Sequence, residues 1–412
     1  MDTREQLGDL RIPADSKPSA IVPWSNNALQ YRRLKEELDP EIERVLSSGK
    51  YALSEDVFAF EEEFAAYCGV RYGVAVHSGT DAIAVLLRAL DLGEGSEVVL
   101  PANSCSSEPN AVMLGGATPV PADIMERSYN LDPEQVEARI GPKTRLIHAV
   151  HAYGQPCDMV SINRVAAEHG LPVLEDIALA PGARIEGRRV GAFGEHAIAS
   201  FGQGKILNAV GNGGGIILTN SETVADRARS IANYGGGSNP DPEHPRAAYL
   251  PPGRRVWMEP GLNSFLDAIQ AAILRVKLRH LDRWVEERAE RAQRYHTQLM
   301  ELDLVTPVLT SGVTSAYRGY IVRVRERDRV LAHLRTNGVE AATMYLPPVH
   351  LQPAMARFGY REGDFPITER VAKELIVLPI YPELTAGQID YVAQTLRDAL
   401  GDHLPEECAL DP

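Results

Sequence analysis

Ala197-Ile198-Ala199-Ser200-Phe201-Gly202-Gln203-Gly204-Lys205 is an apolar run that breaks into glycines and ends on a single amine. Upstream, Leu171-Pro172-Val173-Leu174-Glu175-Asp176 is a second run of the same kind, ending in two carboxylates. Short apolar runs bounded by turn residues read as buried strands. In open α/β sheets ligands collect at the carboxyl ends of such strands. An amine and a carboxylate on adjacent strand ends can grip pyridoxal phosphate (PLP), the amine as a Schiff base and the carboxylate on the ring nitrogen.

Outward from these two runs the pattern repeats. Strands are expected at 72–76, 97–100, 118–121, 144–150, 172–175, 196–201 and 215–219, with helices at 80–90, 133–139, 161–169 and 221–232. Alternation of strand and helix predicts an α/β fold, a mostly parallel seven-stranded sheet flanked by helices. Residues 235–261 are Pro/Gly-rich and aperiodic, which predicts a long loop. One long helix is expected from 264 to about 302, followed by a smaller α+β C-terminal domain with a strand at 320–324 and helices at 328–336 and 386–400. The expected organisation is an N-terminal extension (1–25), a large PLP-binding domain (26–262), and a connecting helix with the small domain (263–412).

Composition restricts the function. The 412 residues carry 42 basic and 56 acidic side chains, a net charge of -14, which argues against non-specific binding to nucleic acid or anionic membranes. Cys68, Cys105, Cys157 and Cys408 are far apart and lack zinc-like spacing, so reduced thiols in a cytoplasmic protein are expected and no metal is proposed. No run of about 18 apolar residues suggests a membrane helix, and the N-terminus lacks the apolar core of a secretory signal.

His77-Ser78-Gly79-Thr80-Asp81 lies between a strand and a helix. Gly79 permits close backbone approach, and the helix N-terminal amides suit an anion such as phosphate. The same residues also serve plain helix capping. Glu175-Asp176 reads as well as a solvated turn, and a lone lysine reads as a surface charge. Order and spacing, not any one of these, carry the site.

In that order the chain resembles the DegT/DnrJ/StrS-type PLP-dependent sugar aminotransferases, within the aspartate-aminotransferase fold type. The matching pieces run from about Pro23 to Leu400 and include Ser78-Gly79-Thr80-Asp81-Ala82, Tyr153-Gly154-Gln155-Pro156, Glu175-Asp176-Ile177-Ala178, Ser200-Phe201 with Lys205, Asn263, and Pro348-Val349-His350. The resemblance implies that Lys205 is the catalytic Schiff-base lysine and Asp176 the partner of the ring nitrogen. It implies that Gly79, Thr80 and Ser200 hold the phosphate, that Ala178 lies against the ring, and that Asn263 reaches the phosphate of a neighbouring subunit. A homodimer with shared sites follows from that last role. Tyr345, His350 and Tyr234 align with segments near the substrate.

Three positions depart from the pattern. Leu179 stands where the family usually has Gln or His beside the cofactor's phenolic oxygen, Cys105 where an aromatic residue stacks on the ring, and Phe265 where an arginine follows Asn263. The function implied is transfer of an amino group from glutamate or glutamine to a keto group of a nucleotide-linked sugar. The alternatives are a cyclitol or non-sugar substrate, elimination in place of transamination, and a non-catalytic regulator on the same fold.

Overall fold

The computed structural model describes residues 22–236 and 257–401. Most of the expected N-terminal extension and most of the 235–261 loop lie outside the described residues. The seven expected strands form one sheet: β1 (Tyr72–Val76), β2 (Glu97–Pro101), β3 (Thr118–Ala122), β4 (Thr144–Val150), β5 (Val173–Asp176), β6 (His196–Ser200) and β7 (Gly215–Thr219). Their spatial order is β1-β7-β6-β5-β4-β2-β3. Only β7 runs antiparallel to its neighbours; the pairs from β6 to β3 are parallel.

Alternate residues of the central strands feed separate cores. Val173, Ala197, Ile216 and Leu218 belong to one apolar cluster, and Leu174, Ile198 and Ile217 to the other. A sheet buried on both faces needs apolar residues at consecutive positions, which is why these strands read as unbroken apolar runs. The covering helices are α1 (Asn27–Ser48), α2 (Glu55–Cys68), α3 (Gly79–Ala89), α4 (Ser107–Leu114), α5 (Pro133–Arg139), α6 (Met159–His169) and α7 (Glu222–Ala232).

The single long helix expected from 264 to 302 is two helices, α8 (Ala268–Leu278) and α9 (Leu281–Leu299). The break falls at Arg279 and His280. The His280 amide bonds back only three residues, to the Lys277 carbonyl at 3.0 Å. Its ring stacks on Trp284 at 5.9 Å and its Nε2 lies 2.9 Å from Glu37 on α1. These contacts hold a sharp corner that no Gly or Pro announces.

The C-terminal part adds α10 (Arg327–Thr336), α11 (Pro366–Glu374) and α12 (Ala386–Gly401) around two antiparallel strands, β8 (Tyr320–Arg323) and β9 (Leu375–Leu378). A third core cluster joins them to α9 through Tyr295, Tyr320 and Leu396. Among the described residues no helix is long and apolar enough to cross a membrane, and no cluster of metal-ligating side chains occurs.

Candidate active site

Lys205 is delivered by a strand anchored from behind. Phe201, just past β6, is fully buried and packs edge-on against Phe60 and Phe64 of α2, ring centroids 5.3 Å away in each case. Beyond it the chain turns on glycines, and the Lys205 amide bonds the Gly202 carbonyl at 3.0 Å. The Asn208 side chain donates to the Lys205 carbonyl at 2.9 Å, and Lys277 Nζ donates to Asn208 at 3.0 Å. Burial brings the Lys277 ammonium down to about 8, against the opposing pull of Glu383. The backbone of Lys205 is thus fixed while its side chain faces a cavity.

The two carboxylates at the end of β5 have separate tasks, since neighbours on a strand point to opposite faces. Glu175 is fully buried and is satisfied within the protein. It accepts from His151 Nε2 at 2.9 Å and from the amides of Gly191, Phe193 and Gly194 at 2.7, 2.9 and 3.1 Å. The Cys157 amide donates to His151 Nδ1 at 2.8 Å, which leaves Nε2–H as the donor to Glu175. Burial alone would push the Glu175 carboxyl up, yet these donors hold it below the usual carboxylate range. Asp176 turns the other way, into the cavity. Its Oδ1 accepts from the Ala178 amide at 2.8 Å, and His148 Nε2 stands 3.5 Å behind Oδ2.

One end of the cavity is the start of α3. Ser78 caps the helix through its hydroxyl to the Asp81 amide at 3.1 Å, and Asp81 accepts from Ser264 at 2.5 Å. A Cβ placed on Gly79 would lie 2.6 Å from Ser200 Cβ and 2.9 Å from its hydroxyl. The glycine therefore allows the helix end and β6 to meet around one concave spot lined by amides and hydroxyls. Gly79→Ala is expected to raise the dissociation constant for PLP at least about tenfold, roughly 1.4 kcal/mol, read by absorbance titration. Unchanged affinity would place the phosphate elsewhere.

One cavity of about 320 Å³ brings together Lys205, Asp176, Ala178, Gly79, Thr80 and Ser200. A larger groove of about 560 Å³ lies at the opposite end of the strands, lined by residues including Pro142, Arg145, His169 and Pro172. Carboxyl strand ends are where α/β sheets carry ligands, so the smaller cavity is the candidate.

The other expected residues are placed as follows. Tyr345 stacks on Tyr153 at 5.6 Å, and both have left-handed backbones, φ 60° and 56°. Strain of this kind persists where surrounding structure enforces it, often beside a functional site. Burial, then the charges of Tyr153, Glu108, Cys105 and Asp176, hold the Tyr345 phenol well above its ordinary pKa. Cys105 is exposed at the approach to α4, and Leu179 is buried in the core. His350 is buried against Phe365, with Nε2 3.0 Å from Glu369, and burial lowers its pKa. Tyr234 and Asn263 are exposed on neighbouring segments joined by the Asn233–Asn263 bridge. Tyr234, Asn263, Cys105, Leu179, Tyr345 and His350 do not line the 320 Å³ cavity of the single chain.

Two residues near Asp176 escape the sequence reading. Glu108, on α4, lines the cavity at 5% exposure. His148 sits fully buried in β4, and neither ring nitrogen has a hydrogen-bond partner among the described residues. A histidine inside the apolar run Leu146-Ile147-His148-Ala149-Val150 was the available signal, because a buried polar ring demands a partner.

This geometry places a lysine amine and an aspartate carboxylate in one cavity at the strand ends of an α/β sheet. The chain belongs to the DegT/DnrJ/EryC1/StrS aminotransferase family, whose sequence pattern matches residues 32–397. It is 40% identical to the "erythromycin biosynthesis sensory transduction protein EryC1" of Saccharopolyspora erythraea, over 91% of this chain and 99% of the relative. It is 38% identical to the dTDP-3-amino-3,4,6-trideoxy-alpha-D-glucose transaminase of Streptomyces venezuelae, over 92% and 96%. Among solved structures, S. venezuelae DesV in complex with a ketimine intermediate superposes with a TM-score of 0.85 at 38% identity, covering 92% of this chain and 98% of that one. NtdA from Bacillus subtilis with bound cofactor PMP superposes at 0.83 and 28% identity, covering 94% and 86%.

Proposed function

We propose that this chain is a PLP-dependent aminotransferase that moves an amino group from glutamate or glutamine to the keto group of a nucleotide-linked sugar. The observation that carries the cofactor is the single cavity holding Lys205, Asp176 and the Gly79–Ser200 cradle. The donor set fits the group at each end: helix amides and hydroxyls for a phosphate, a carboxylate backed by an imidazole for a ring nitrogen, and a free amine for an aldehyde carbon. When bound, the cofactor supplies an electron sink that acidifies the C–H bond beside the amino group.

The protein's own residues divide the remaining work. Lys205 Nζ would hold the cofactor's aldehyde carbon, and the same amine is the base that would move a proton at the donor carbon. Asp176 would pair with the ring nitrogen, and the Ala178 amide keeps its carboxylate aimed. Gly79, Thr80 and Ser200 would hold the phosphate and so anchor one end of the cofactor. Tyr345, stacked on Tyr153, stays a neutral phenol.

The site is shared between two subunits in this reading. Asn263 and Tyr234 are exposed in the single chain and serve the partner's site, which makes a homodimer the working unit. The proposed division is a large cofactor-binding domain over 26–262 and a C-terminal part over 263–412. A cytoplasmic location fits the widely spaced free cysteines.

Purified protein given PLP should turn yellow, and borohydride should fix the cofactor to the peptide carrying Lys205. Glutamate or glutamine should then remove the visible band, and added dTDP- or UDP-linked keto-sugars should appear as amino-sugars by mass. Protein that stays colourless with PLP would overturn the reading in favour of a regulator. Protein that keeps its colour with every amino donor would point to elimination.

A further inference from the structure

A second, narrower pocket shares Lys205 with the cofactor cavity, and its lining also includes Trp24, Asn208, Arg288, Arg318 and Glu383. Arg318 is the unexplained member. Among the described residues its side chain makes no hydrogen bond and no ion pair, and its Nε is buried without a partner. The guanidinium lies over the Trp24 ring at 5.1 Å, a contact that uses its face and leaves its N–H edge for an acceptor.

The backbone fixes where this side chain starts. The Arg318 amide donates to the Tyr153 carbonyl at 2.9 Å, and the Ala316 amide to the Gly154 carbonyl at 2.8 Å. Gly204, the residue before Lys205, makes room for it. A Cβ there would stand 3.2 Å from Arg318 Nη2, on a backbone whose φ of +91° disfavours L side chains. The free guanidinium is thus held against the loop that carries the reactive amine.

Arg288 faces the same pocket but is employed elsewhere, donating to the carbonyls of Tyr317 and Ile380 at 3.0 and 2.6 Å. Burial, and then the charge of Arg318, bring its pKa down to about 9. Burial draws Arg318 down to about 10, with Tyr345 pulling the other way, so both stay cationic at neutral pH. Among the described residues the lining holds one carboxylate, Glu383, whose ion-pair partner is Arg33 at 3.8 Å. A desolvated guanidinium with free donors is costly unless an anion meets it.

We propose that Arg318 is a substrate-binding residue that takes a carboxylate of the amino donor and so selects an amino acid for that role. The inference rests on the cofactor reading above. A guanidinium is a planar fork that matches a carboxylate with two parallel hydrogen bonds. The pocket has about 20 Å³ of free volume, room for one water-sized group. A carboxylate oxygen suits that slot, whereas the tetrahedral phosphate of a nucleotide sugar is too bulky. In an amino acid the α-carboxylate also sits on the carbon that bears the amine, which matches a guanidinium held beside Lys205.

Two measurements test this. In wild-type apo protein, glutarate, a dicarboxylate without an amine, should suppress phenylglyoxal labelling of the peptide that carries Arg318. In PLP-loaded protein, Arg318→Gln should lower kcat/KM for glutamate at least about tenfold, mostly through KM, and leave kcat/KM for the keto-sugar within about twofold. Arg318→Lys, which keeps the charge without the fork, should recover part of the loss. A loss shared by glutamine assigns the α-carboxylate, and a loss confined to glutamate assigns the side-chain carboxylate. Equal losses for donor and keto-sugar, a loss confined to the keto-sugar, or labelling that glutarate does not slow overturns the proposal. The labelling arm uses neither variant nor cofactor. A protein that never binds PLP would therefore sink the functional reading, and protection of Arg318 by glutarate would still be read.

Discussion

Lys205→Ala should lower kcat by at least about 10⁴-fold while leaving the fold intact, because the proposed function gives the lost amine both an attachment and a proton-transfer task. Among the described residues Nζ has no hydrogen-bond or ion-pair partner, so truncation strands no buried polar group. Stability should stay within about 0.5 kcal/mol of wild type, as for substitutions that break no packing or network. The backbone contacts through Asn208 and Lys277 survive, since they end on the Lys205 carbonyl. The variant should still bind PLP through the Gly79–Ser200 cradle but lose the borohydride-fixed label. A small primary amine added to the solution should restore part of the turnover. Turnover near the wild-type level without such an amine would remove Lys205 from the chemistry.

The residues of this site differed in how plainly the sequence announced them, and the reasons are physical. Strands buried on both faces must be apolar at every position, so β5 and β6 stood out, and their polar ends marked the site. Asp176 and Lys205 were legible because each ends such a run. The distinct task of Glu175 was less so: a carboxylate at a strand end looks the same whether it meets solvent or four protein donors. Glu108 was invisible, since one glutamate at a helix start reads as an ordinary solvated residue. Only tertiary packing brings it beside Asp176. The corner between α8 and α9 was hidden for a related reason: apolar spacing continues through Arg279 and His280, while the contacts that bend the chain come from Glu37, more than 200 positions away. Asn263 and Tyr234 had signals only in the resemblance, and the single chain leaves both exposed.

Glu175→Ala should be among the most destabilising single changes in the large domain, costing about 3–5 kcal/mol. The substitution removes the acceptor that satisfies His151 Nε2 and three amides between Gly191 and Gly194, and it leaves the His151 and Gly191 donors buried. Such a loss is a large share of a total stability of roughly 5–15 kcal/mol. The pH dependence has a defined sign. Because the folded-state carboxyl lies below its ordinary range, its contribution is complete above that range and is lost as pH falls through the folded value. Urea midpoints of apo protein should therefore differ widely between wild type and variant near neutrality and converge in acid. Asp176→Ala is the contrast: it should weaken PLP binding and turnover while shifting the apo midpoint much less, since His148 lies 3.5 Å from the carboxylate and the closer donor is the Ala178 amide. If the two substitutions cost the same apo stability, the division of these adjacent carboxylates into one that holds the sheet end together and one that serves the cofactor would be wrong.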